Sequence, residues 1–483
     1  MTQSTIKDTL AQALCQIVAT EFVITEPEAQ KPYECDALTM FCEMPLIVVL
    51  PDTAEQVAQI AALCYQYKVP LVARGAGTGL CGGAMPHACG VLLSLTRMNQ
   101  ILNLNPLART ARLQPGVRNL AITEAAKPYG LYYGPDPSSQ IACSIGGNVA
   151  ENSGGVHCLK YGLTTHNLLS VTVVTIEGEV MTFGNQGLDS VGPDLLALIT
   201  GSEGMLGIVT EVTVKLLPLP QSTKVTMAAF HTVDDAANAV SAVIAAGIIP
   251  AALEMMDSPA IIAAEAFVKA GYPTDAQALL LCELDGTPEE VAAYTQKVGS
   301  IFEAFNPMSI HVAKDEAERA LFWKGRKSAF PAVGRISPDY YCMDGTIPRS
   351  KLAEVLNGIQ DLSKHYGLAV ANVFHAGDGN LHPMILFDAN KAGEFEVAEA
   401  FGAAILRLCV DMGGCITGEH GVGVEKIAQM PVQFSDDEIA QFNRVKAAFD
   451  EHQLLNPGKG IPTLKRCQEY RSLAPSTGKH HCH

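Results

Sequence analysis

The chain of 483 residues is long enough for two large domains or three of typical size. Apolar residues make up 48% of it and charged residues 17%, which excludes a wholly disordered chain. The formal net charge of −17 disfavours general binding to nucleic-acid backbones and a polybasic membrane anchor.

The N-terminal residues predict a packed helix rather than a secretory signal, because Ile6, Leu10 and Leu14 recur at helical spacing and no basic region precedes an apolar block. The longest apolar stretch, 239–253, is too short to span a bilayer. We therefore expect a cytoplasmic chain.

The first half of the chain alternates short β-rich runs with helical ones. A helix is predicted over 54–67, with Asp52 or Thr53 as its N-cap, and a tight turn at Glu177 and Gly178. Strands are predicted at 45–50, 70–74, 90–95, 111–116, 168–180 and 208–217. This pattern is typical of an α+β fold.

Two prolines within 216–222 mark a boundary, because proline ends the preceding strand. Beyond it lies a second region with alanine-rich helices, and a final helix is predicted near 436–449. Strands of this region are predicted at 224–230, 278–284 and 368–374.

Residues 56–123 contain no Asp or Glu but six cations, a local excess of positive charge within an acidic chain. The excess favours an anionic partner there, and the alternative is a chance run in an alanine-rich region. The six cations are Lys68, Arg74, Arg97, Arg109, Arg112 and Arg118.

The same stretch holds a glycine-rich loop, 74–83, whose backbone N–H groups could surround a pyrophosphate. Gly77, Gly79 and Gly82 have the G-x-G-x-x-G spacing. A nicotinamide Rossmann site is disfavoured, because Pro86 precludes a following helix and no acid lies within about 20 residues downstream. Two further clusters of small and polar residues, 133–155 and 201–208, favour a large dinucleotide-like cofactor.

These motifs, in this order, resemble the FAD domain of the vanillyl-alcohol-oxidase-type flavoproteins. The resemblance implies two subdomains that hold an extended, non-covalent FAD, plus an α+β substrate (cap) domain with an antiparallel sheet. His157 and Cys158 are the residues available for a covalent link, should one form. The residues implied to bind FAD are Arg74, Gly75, Gly77, Thr78, Gly79, Gly82, Pro135, Asp136, Ser139, Ser144, Gly146, Gly147, Asn148, Asn152, Gly154, Gly155, Glu203, Gly204, Ile208 and Asn456.

We accordingly divide the chain into five parts. An N-terminal helical segment (1–40) precedes the FAD-binding domain (41–220) and the substrate and metal (cap) domain (221–440). A C-terminal segment (441–465) returns to the FAD domain, and a loose tail (466–483) ends the chain.

His375 and His382 lie seven residues apart across a glycine-rich turn, and Glu419 follows later in GEHGVG. Two histidines and a glutamate suit Zn²⁺ or a similar divalent ion and leave one coordination position open for substrate. The alternative from spacing alone is a set of hydrogen-bonded side chains without metal. His420, beside Glu419, is a candidate base.

The motifs FHAGDGNLH and GEHGVG resemble those of the FAD-linked D-2-hydroxyacid dehydrogenases. In that family the two histidines and the glutamate bind a divalent metal and the next histidine is the proposed base. The segment 323–349 resembles the glycolate-oxidising bacterial branch, which implies oxidation of glycolate to glyoxylate by hydride transfer to flavin. Arg326, or else Arg349, would pair with the substrate carboxylate.

That branch also implies partners: a second FAD-domain subunit and an iron–sulfur subunit, which would bring the chain to the inner membrane face. Alternatives remain open at this point. They are a D-lactate or other small D-2-hydroxyacid dehydrogenase, a non-catalytic FAD-binding subunit of a larger complex, and a metal-dependent hydrolase.

Overall fold

The computed structural model describes residues 3–185, 187 and 192–462. The predicted tail, 466–483, lies outside the described residues. The chain forms two compact units. The first comprises 1–153, 163–219 and 419–483, and the second comprises 154–162 and 220–418.

Helices and strands are interspersed along the chain. The helices are α1 Gln3–Leu14, α2 Pro27–Gln30, α3 Ala54–Tyr67, α4 Asn119–Ala126, α5 Ile145–Glu151, α6 Cys158–Tyr161, α7 Thr164–Asn167, α8 Leu195–Ile199, α9 Val233–Ala245, α10 Ser258–Val268, α11 Pro288–Glu303, α12 Glu316–Lys327, α13 Ala329–Val333, α14 Leu352–Tyr366, α15 Glu394–Asp411, α16 Met430–Gln433 and α17 Asp436–Phe449. The strands are β1 Val23–Ile24, β2 Ile47–Val49, β3 Leu71–Arg74, β4 Val91–Ser94, β5 Ile101–Asn105, β6 Thr110–Leu113, β7 Leu131–Tyr132, β8 Leu168–Val174, β9 Val180–Gly184, β10 Ile208–Lys215, β11 Leu217–Pro218, β12 Ser222–Phe230, β13 Ala252–Asp257, β14 Ala278–Gly286, β15 Pro307–Val312, β16 Asp339–Cys342, β17 Gly345–Thr346, β18 Val370–His375 and β19 Asn380–Phe387.

The first unit is built on two larger sheets. One has the order β1-β2-β4-β3, in which β2, β4 and β3 run parallel. The other has the order β5-β6-β10-β8-β9 and is antiparallel throughout. A two-stranded ribbon pairs β7 with β11. The second unit has one eight-stranded antiparallel sheet of order β15-β12-β14-β13-β18-β19-β16, with β17 beside β19. The predicted α+β class and the antiparallel cap sheet are confirmed.

Helix α3 shows how local sequence sets an element. Thr53 Oγ1 accepts a hydrogen bond from the N–H of Gln56, which satisfies a donor that the first turn leaves unpaired. The helix ends where Lys68 adopts a left-handed conformation. Its buried face, which includes Val57 and Ile60, packs into a core shared with the β2-β4-β3 strands. The predicted bounds and the Thr53 cap are confirmed.

The second unit ends at Gly418, earlier than the boundary at 440 drawn from the sequence. The physical reason is that 419–440 packs within the first unit, where the carboxylate of Glu203 accepts hydrogen bonds from the N–H groups of Val422 and Gly423. Segment 154–162, placed in the FAD domain by sequence, belongs to the second unit. It is held there by bonds from Lys160 and Tyr161 to Asp285.

None of the helices in the described ranges combines the length and the apolar character that crossing a bilayer requires.

Candidate active site

The glycine-rich loop follows β3 in the first unit, and Arg74 braces it. The Arg74 side chain is buried, and its Nη1 donates to the carbonyls of Cys35 at 2.7 Å and Ala84 at 3.3 Å. A Cβ at Gly77 would lie 2.2 Å from Arg74 Nη2. Part of the predicted anion-binding guanidinium is therefore used to hold the loop backbone in place.

Other cations of the acid-free stretch also have partners within the first unit. Arg97 pairs with Asp52 at 2.9 Å, and Arg112 lies 3.6 Å from Glu211. Part of the positive excess is thus balanced by acids outside 56–123, which sequence order alone does not reveal.

The loop packs closely against residues 421–424 of the same unit. A Cβ at Gly82 would lie 2.4 Å from Val424 Cγ2, and a Cβ at Gly423 would lie 2.0 Å from the carbonyl oxygen of Cys81. Both glycines have positive φ, 75° and 50°. Glycine is required here because there is neither room for a side chain nor a favourable conformation for one.

Hydrogen bonds of Glu203 and Asn456 join the glycine-rich loop to separate segments of the first unit. Glu203 is buried, and its carboxylate accepts from the N–H groups of Val422 and Gly423 at 2.7 Å each. Burial raises the pKa of Glu203, and those two donors oppose the rise. Asn456 Nδ2 donates to the carbonyls of Gly83 at 3.0 Å and Glu203 at 2.7 Å.

Helix α5 places small residues beside the start of the loop. Ser144 is the N-cap residue, and a Cβ at Gly75 would lie 2.2 Å from Ser144 Oγ. That hydroxyl is buried and has no hydrogen-bond partner among the described residues. A Cβ at Gly147 would lie 3.3 Å from the same oxygen. A buried hydroxyl without a partner, beside glycine backbone, fits a polar cofactor that would bond to it.

Asn148 and Asn152 have structural partners. Asn148 accepts from Asn119 Nδ2 at 3.0 Å and donates to Ser153 Oγ at 3.2 Å. Asn152 adopts a left-handed conformation at the end of α5 and accepts from the N–H of Thr165 at 2.9 Å. These asparagines shape the backbone around the predicted cofactor site.

The remaining predicted cofactor residues are placed as follows. Thr78 and Gly79 lie in the glycine-rich loop, and a Cβ at Gly79 would lie 3.6 Å from Asp36 Oδ2. Gly146 lies in α5, where a Cβ would meet Pro115 at 2.6 Å.

The other predicted cofactor residues are located by their position along the chain. Pro135, Asp136 and Ser139 lie between β7 and α5. Gly204 has φ 71°, and Ile208 begins β10. Gly154 and Gly155 belong to the second unit.

His375 and His382 lie on adjacent strands of the second unit. The register pairs Val373 with His382 and His375 with Asn380, so both histidines face the same side of the sheet. Their ring centroids are 5.1 Å apart, and both side chains are buried. The structure therefore brings together the two histidines that the motif predicted as ligands.

Glu254, on β13, lies beside these histidines and was not identified by the sequence motifs. Its Oε1 and Oε2 lie 2.8 and 3.0 Å from Nδ1 of His375, and its Oε2 lies 2.6 Å from Arg326 Nη2. Burial alone would raise the pKa of Glu254, but the neighbouring His375 and Arg326 lower it below its usual value. The available signal was a carboxylate flanked on both sides by apolar residues within 252–256.

Arg326, predicted to bind the substrate carboxylate, is 2% exposed and forms its ion pair with Glu254. Arg349, the alternative, donates from Nη1 to the carbonyl of Gly377 at 3.1 Å. Within the second unit, both guanidinium groups therefore have protein partners.

Asp344 fixes the segment that leads along the chain into Glu419 and His420. It accepts from Thr417 Oγ1 at 2.6 Å and from the N–H of Gly418 at 2.9 Å. Its Oδ1 lies 3.9 Å from His382 Nδ1. Glu419 and His420 begin the C-terminal part of the first unit and are half-buried.

Cys342 and Met384 form a cross-strand pair between β16 and β19. Met384 lies two residues after His382 and therefore faces the same side of the sheet. Both residues are buried in the apolar core of the second unit, with Ala371 and Val373. The face of the sheet that carries the two histidines is therefore apolar at Cys342 and Met384.

His157 and Cys158, the candidates for a covalent flavin bond, lie in the second unit. His157 Nε2 lies 3.0 Å from Glu283 Oε1, and Cys158 is buried. Glu283 also pairs with Arg319 Nη1 at 2.7 Å and accepts from the Trp323 indole. Burial would raise the pKa of Glu283, but the donors around it lower it.

Two family models cover most of the chain. An FAD binding domain matches residues 45–184, and the C-terminal domain of FAD linked oxidases matches 219–460. The chain belongs to the FAD-linked oxidase family. The predicted cofactor, FAD, is confirmed, and the chain is an FAD-dependent oxidoreductase.

This FAD-linked oxidase is 62% identical to the glycolate oxidase subunit GlcD of Escherichia coli (strain K12), over 92% of this chain and 89% of the relative. It is 32% identical to a D-lactate dehydrogenase of Anaerostipes hadrus, over 92% of this chain and 95% of the relative. Its fold is similar to that of p-cresol methylhydroxylase, with a TM-score of 0.79 and 18% identity, covering 94% and 96% of the two chains. The predicted vanillyl-alcohol-oxidase-type fold is confirmed.

Proposed function

We propose that this FAD-linked oxidase oxidises glycolate to glyoxylate. The observation that carries the proposal is the 62% identity to a glycolate oxidase subunit over nearly the full length of both chains. His375 and His382 support the proposal, because they place two imidazoles on one face of the second-unit sheet, next to the buried apolar residues Cys342 and Met384. FAD, when bound, supplies the acceptor for the hydride that leaves C2 of the substrate.

We propose that His375, His382 and Glu419 bind one divalent ion, zinc or a similar metal. The donor set fits, because two imidazoles and a carboxylate are ligands that zinc prefers. A metal held there would act as a Lewis acid toward the substrate hydroxyl. His420 accepts the hydroxyl proton, so that the proton and the hydride leave the substrate separately.

The substrate carboxylate is assigned to Arg326, with Arg349 as the alternative. A guanidinium matches a planar carboxylate with two parallel N–H groups. Since Nη2 of Arg326 already pairs with Glu254, this role uses the other N–H groups of Arg326.

The apolar Cys342–Met384 pair supports a small substrate. A second carboxylate placed against it would lose its hydration without gaining a partner, which costs about 1–3 kcal/mol. We expect kcat/KM to be higher for glycolate and D-lactate than for D-2-hydroxyglutarate. The reverse order would contradict the assignment of the substrate site.

We propose that the FAD is non-covalent. His157 Nε2 is engaged by Glu283, and Cys158 is buried, which disfavours either residue as an attachment point. Acid precipitation should release all flavin into the supernatant. Flavin retained in the pellet would contradict the proposal.

We further propose that the chain acts with a second FAD-domain subunit and an iron–sulfur subunit, which hold it at the inner face of the membrane. The subunit name of its relative supports assembly into a larger enzyme.

The test of the function is anaerobic addition of substrate to the purified yellow protein. Glycolate should bleach the flavin absorbance at least as fast as D-lactate, because hydride transfer reduces FAD. A flavin that neither acid bleaches would instead identify a non-catalytic FAD-binding subunit. Faster bleaching by D-lactate would identify a D-lactate dehydrogenase.

A further inference from the structure

The contact between Glu254 and His375 has a role that the sequence motifs do not assign. We propose that Glu254 is a positioning residue that selects the tautomer of His375 and thereby presents Nε2 of this ring to the divalent ion. The inference rests on the metal site proposed above and names the residue that orients one of its ligands.

The strand register places the two side chains opposite each other. Strand β13 pairs with β18 with Met255 opposite Phe374, so the preceding residue, Glu254, faces His375 across the strands. Both carboxylate oxygens lie within 3.0 Å of Nδ1, and Glu254 is 1% exposed.

A neutral imidazole carries one N–H donor and one acceptor nitrogen, and an ionised carboxylate can only accept. Contact with Glu254 therefore places the hydrogen on Nδ1 of His375 and leaves the lone pair on Nε2. When a carboxylate accepts from the ring nitrogen that does not bind the metal, it also fixes the plane of the imidazole and increases the basicity of the metal-binding nitrogen.

Arg326 fixes the orientation of the carboxylate. Its Nη2 lies 2.6 Å from Glu254 Oε2, and it reaches the pair from α12. The guanidinium and imidazole bracket one carboxylate, which restricts its rotation about the bond to the side-chain stem.

The second unit contains a second cluster of carboxylate, imidazole and guanidinium groups, which the proposed metal site does not include. Glu283, on the neighbouring strand β14, contacts an imidazole nitrogen of His157 at 3.0 Å and a guanidinium nitrogen of Arg319 at 2.7 Å. It is 3% exposed. Glu283 therefore serves as a control with the same chemical groups and comparable burial.

The experiment compares Glu254→Gln, Glu283→Gln and the unchanged full-length FAD-loaded protein. Each is stripped of metal with a chelator and titrated with Zn²⁺ in competition with a chromophoric chelator, and FAD content and thermal midpoint are measured in parallel. Glu254→Gln should bind Zn²⁺ about 10–100-fold more weakly, because an amide can donate to Nδ1 and favour the wrong tautomer. Glu283→Gln should retain the affinity of the unchanged protein.

An unchanged Zn²⁺ affinity in Glu254→Gln, or equal losses in both variants, would overturn the inference. If the unchanged protein and His375→Ala both fail to bind metal, the metal site itself is refuted, which is a distinguishable result. Should Glu254→Gln not fold, Glu254→Asp replaces it, since its shorter stem withdraws the carboxylate from Nδ1. Weaker Zn²⁺ binding with FAD retained then supports the inference, and unchanged binding overturns it.

Discussion

At the scale of single residues, two glycines with similar backbone conformations have different surroundings. Gly423 has φ 50°, and a Cβ there would lie 2.0 Å from the carbonyl oxygen of Cys81. Gly367, which follows α14, has φ 72°, and no atom beyond its two chain neighbours lies within 4 Å of such a Cβ. The first position combines conformational strain with a backbone clash, and the second has conformational strain alone.

We predict that Gly423→Ala lowers the free energy of unfolding by about 1–3 kcal/mol more than Gly367→Ala does. The reason is that the Cys81 carbonyl belongs to the backbone of the glycine-rich loop and cannot move without displacing that loop. Urea unfolding measures the difference, and flavin absorbance measures bound FAD, which should fall only in Gly423→Ala. Equal losses in the two variants would contradict the packing of the loop against 421–424.

A second prediction at this scale concerns His420. His420→Ala should lower kcat by about 10²–10⁴-fold, because the proposed proton acceptor is removed. Metal content and FAD content should be retained, since neither depends on this side chain in the proposal. His365→Ala is the control, an exposed histidine at the end of α14. Loss of metal in His420→Ala would show that it acts as a ligand instead.

At the scale of elements, helix α10 begins at a buried carboxylate. Asp257 accepts from the N–H of Ala260 at 3.2 Å and from Asn372 Nδ2 at 2.7 Å, and so joins the helix to β18. Burial raises the pKa of Asp257 from 3.8 to about 6. The folded chain therefore binds this proton more tightly than the unfolded chain does.

Because the folded-state pKa is raised, the contribution of Asp257 to stability is present at low pH and is lost as pH rises from about 4 to about 6. We predict that Asp257→Asn, which retains an N-cap oxygen, removes this pH dependence. Unfolding free energies of both proteins across that range test it. The control is Asp315→Asn, at the exposed cap of α12. A constant difference between Asp257→Asn and the unchanged protein would contradict the prediction.

At the scale of the whole molecule, the reduced flavin must be reoxidised before a second turnover. The 483 residues contain no C-x-x-C pair, so the sequence shows no ligand set for an iron–sulfur cluster. We predict that the chain alone reduces its own FAD quickly with glycolate but reduces quinone slowly. Steady-state quinone reduction should rise when the proposed partner subunits are co-expressed. Equal rates with and without them would show that the chain passes electrons on by itself.

Much of the molecule could be predicted from local sequence. The helix 54–67 with its Thr53 cap follows from apolar spacing and one hydroxyl, both of which act within a few residues. The glycine-rich loop was also recognisable, because close backbone approach requires glycine at short spacing. Metal binding by the two histidine motifs stays a prediction from residue types and spacing.

The tertiary structure alone decided which residues that are distant in sequence contact each other. Glu254 lies 121 residues from His375 in sequence, and only the register between β13 and β18 places its carboxylate against that ring. The same holds for Arg326, which the sequence suggested for substrate and the structure pairs with Glu254. Motif spacing identifies the residue types that perform chemistry. Their orientation depends on strand register and helix packing, which are set by the burial of many side chains along the whole chain.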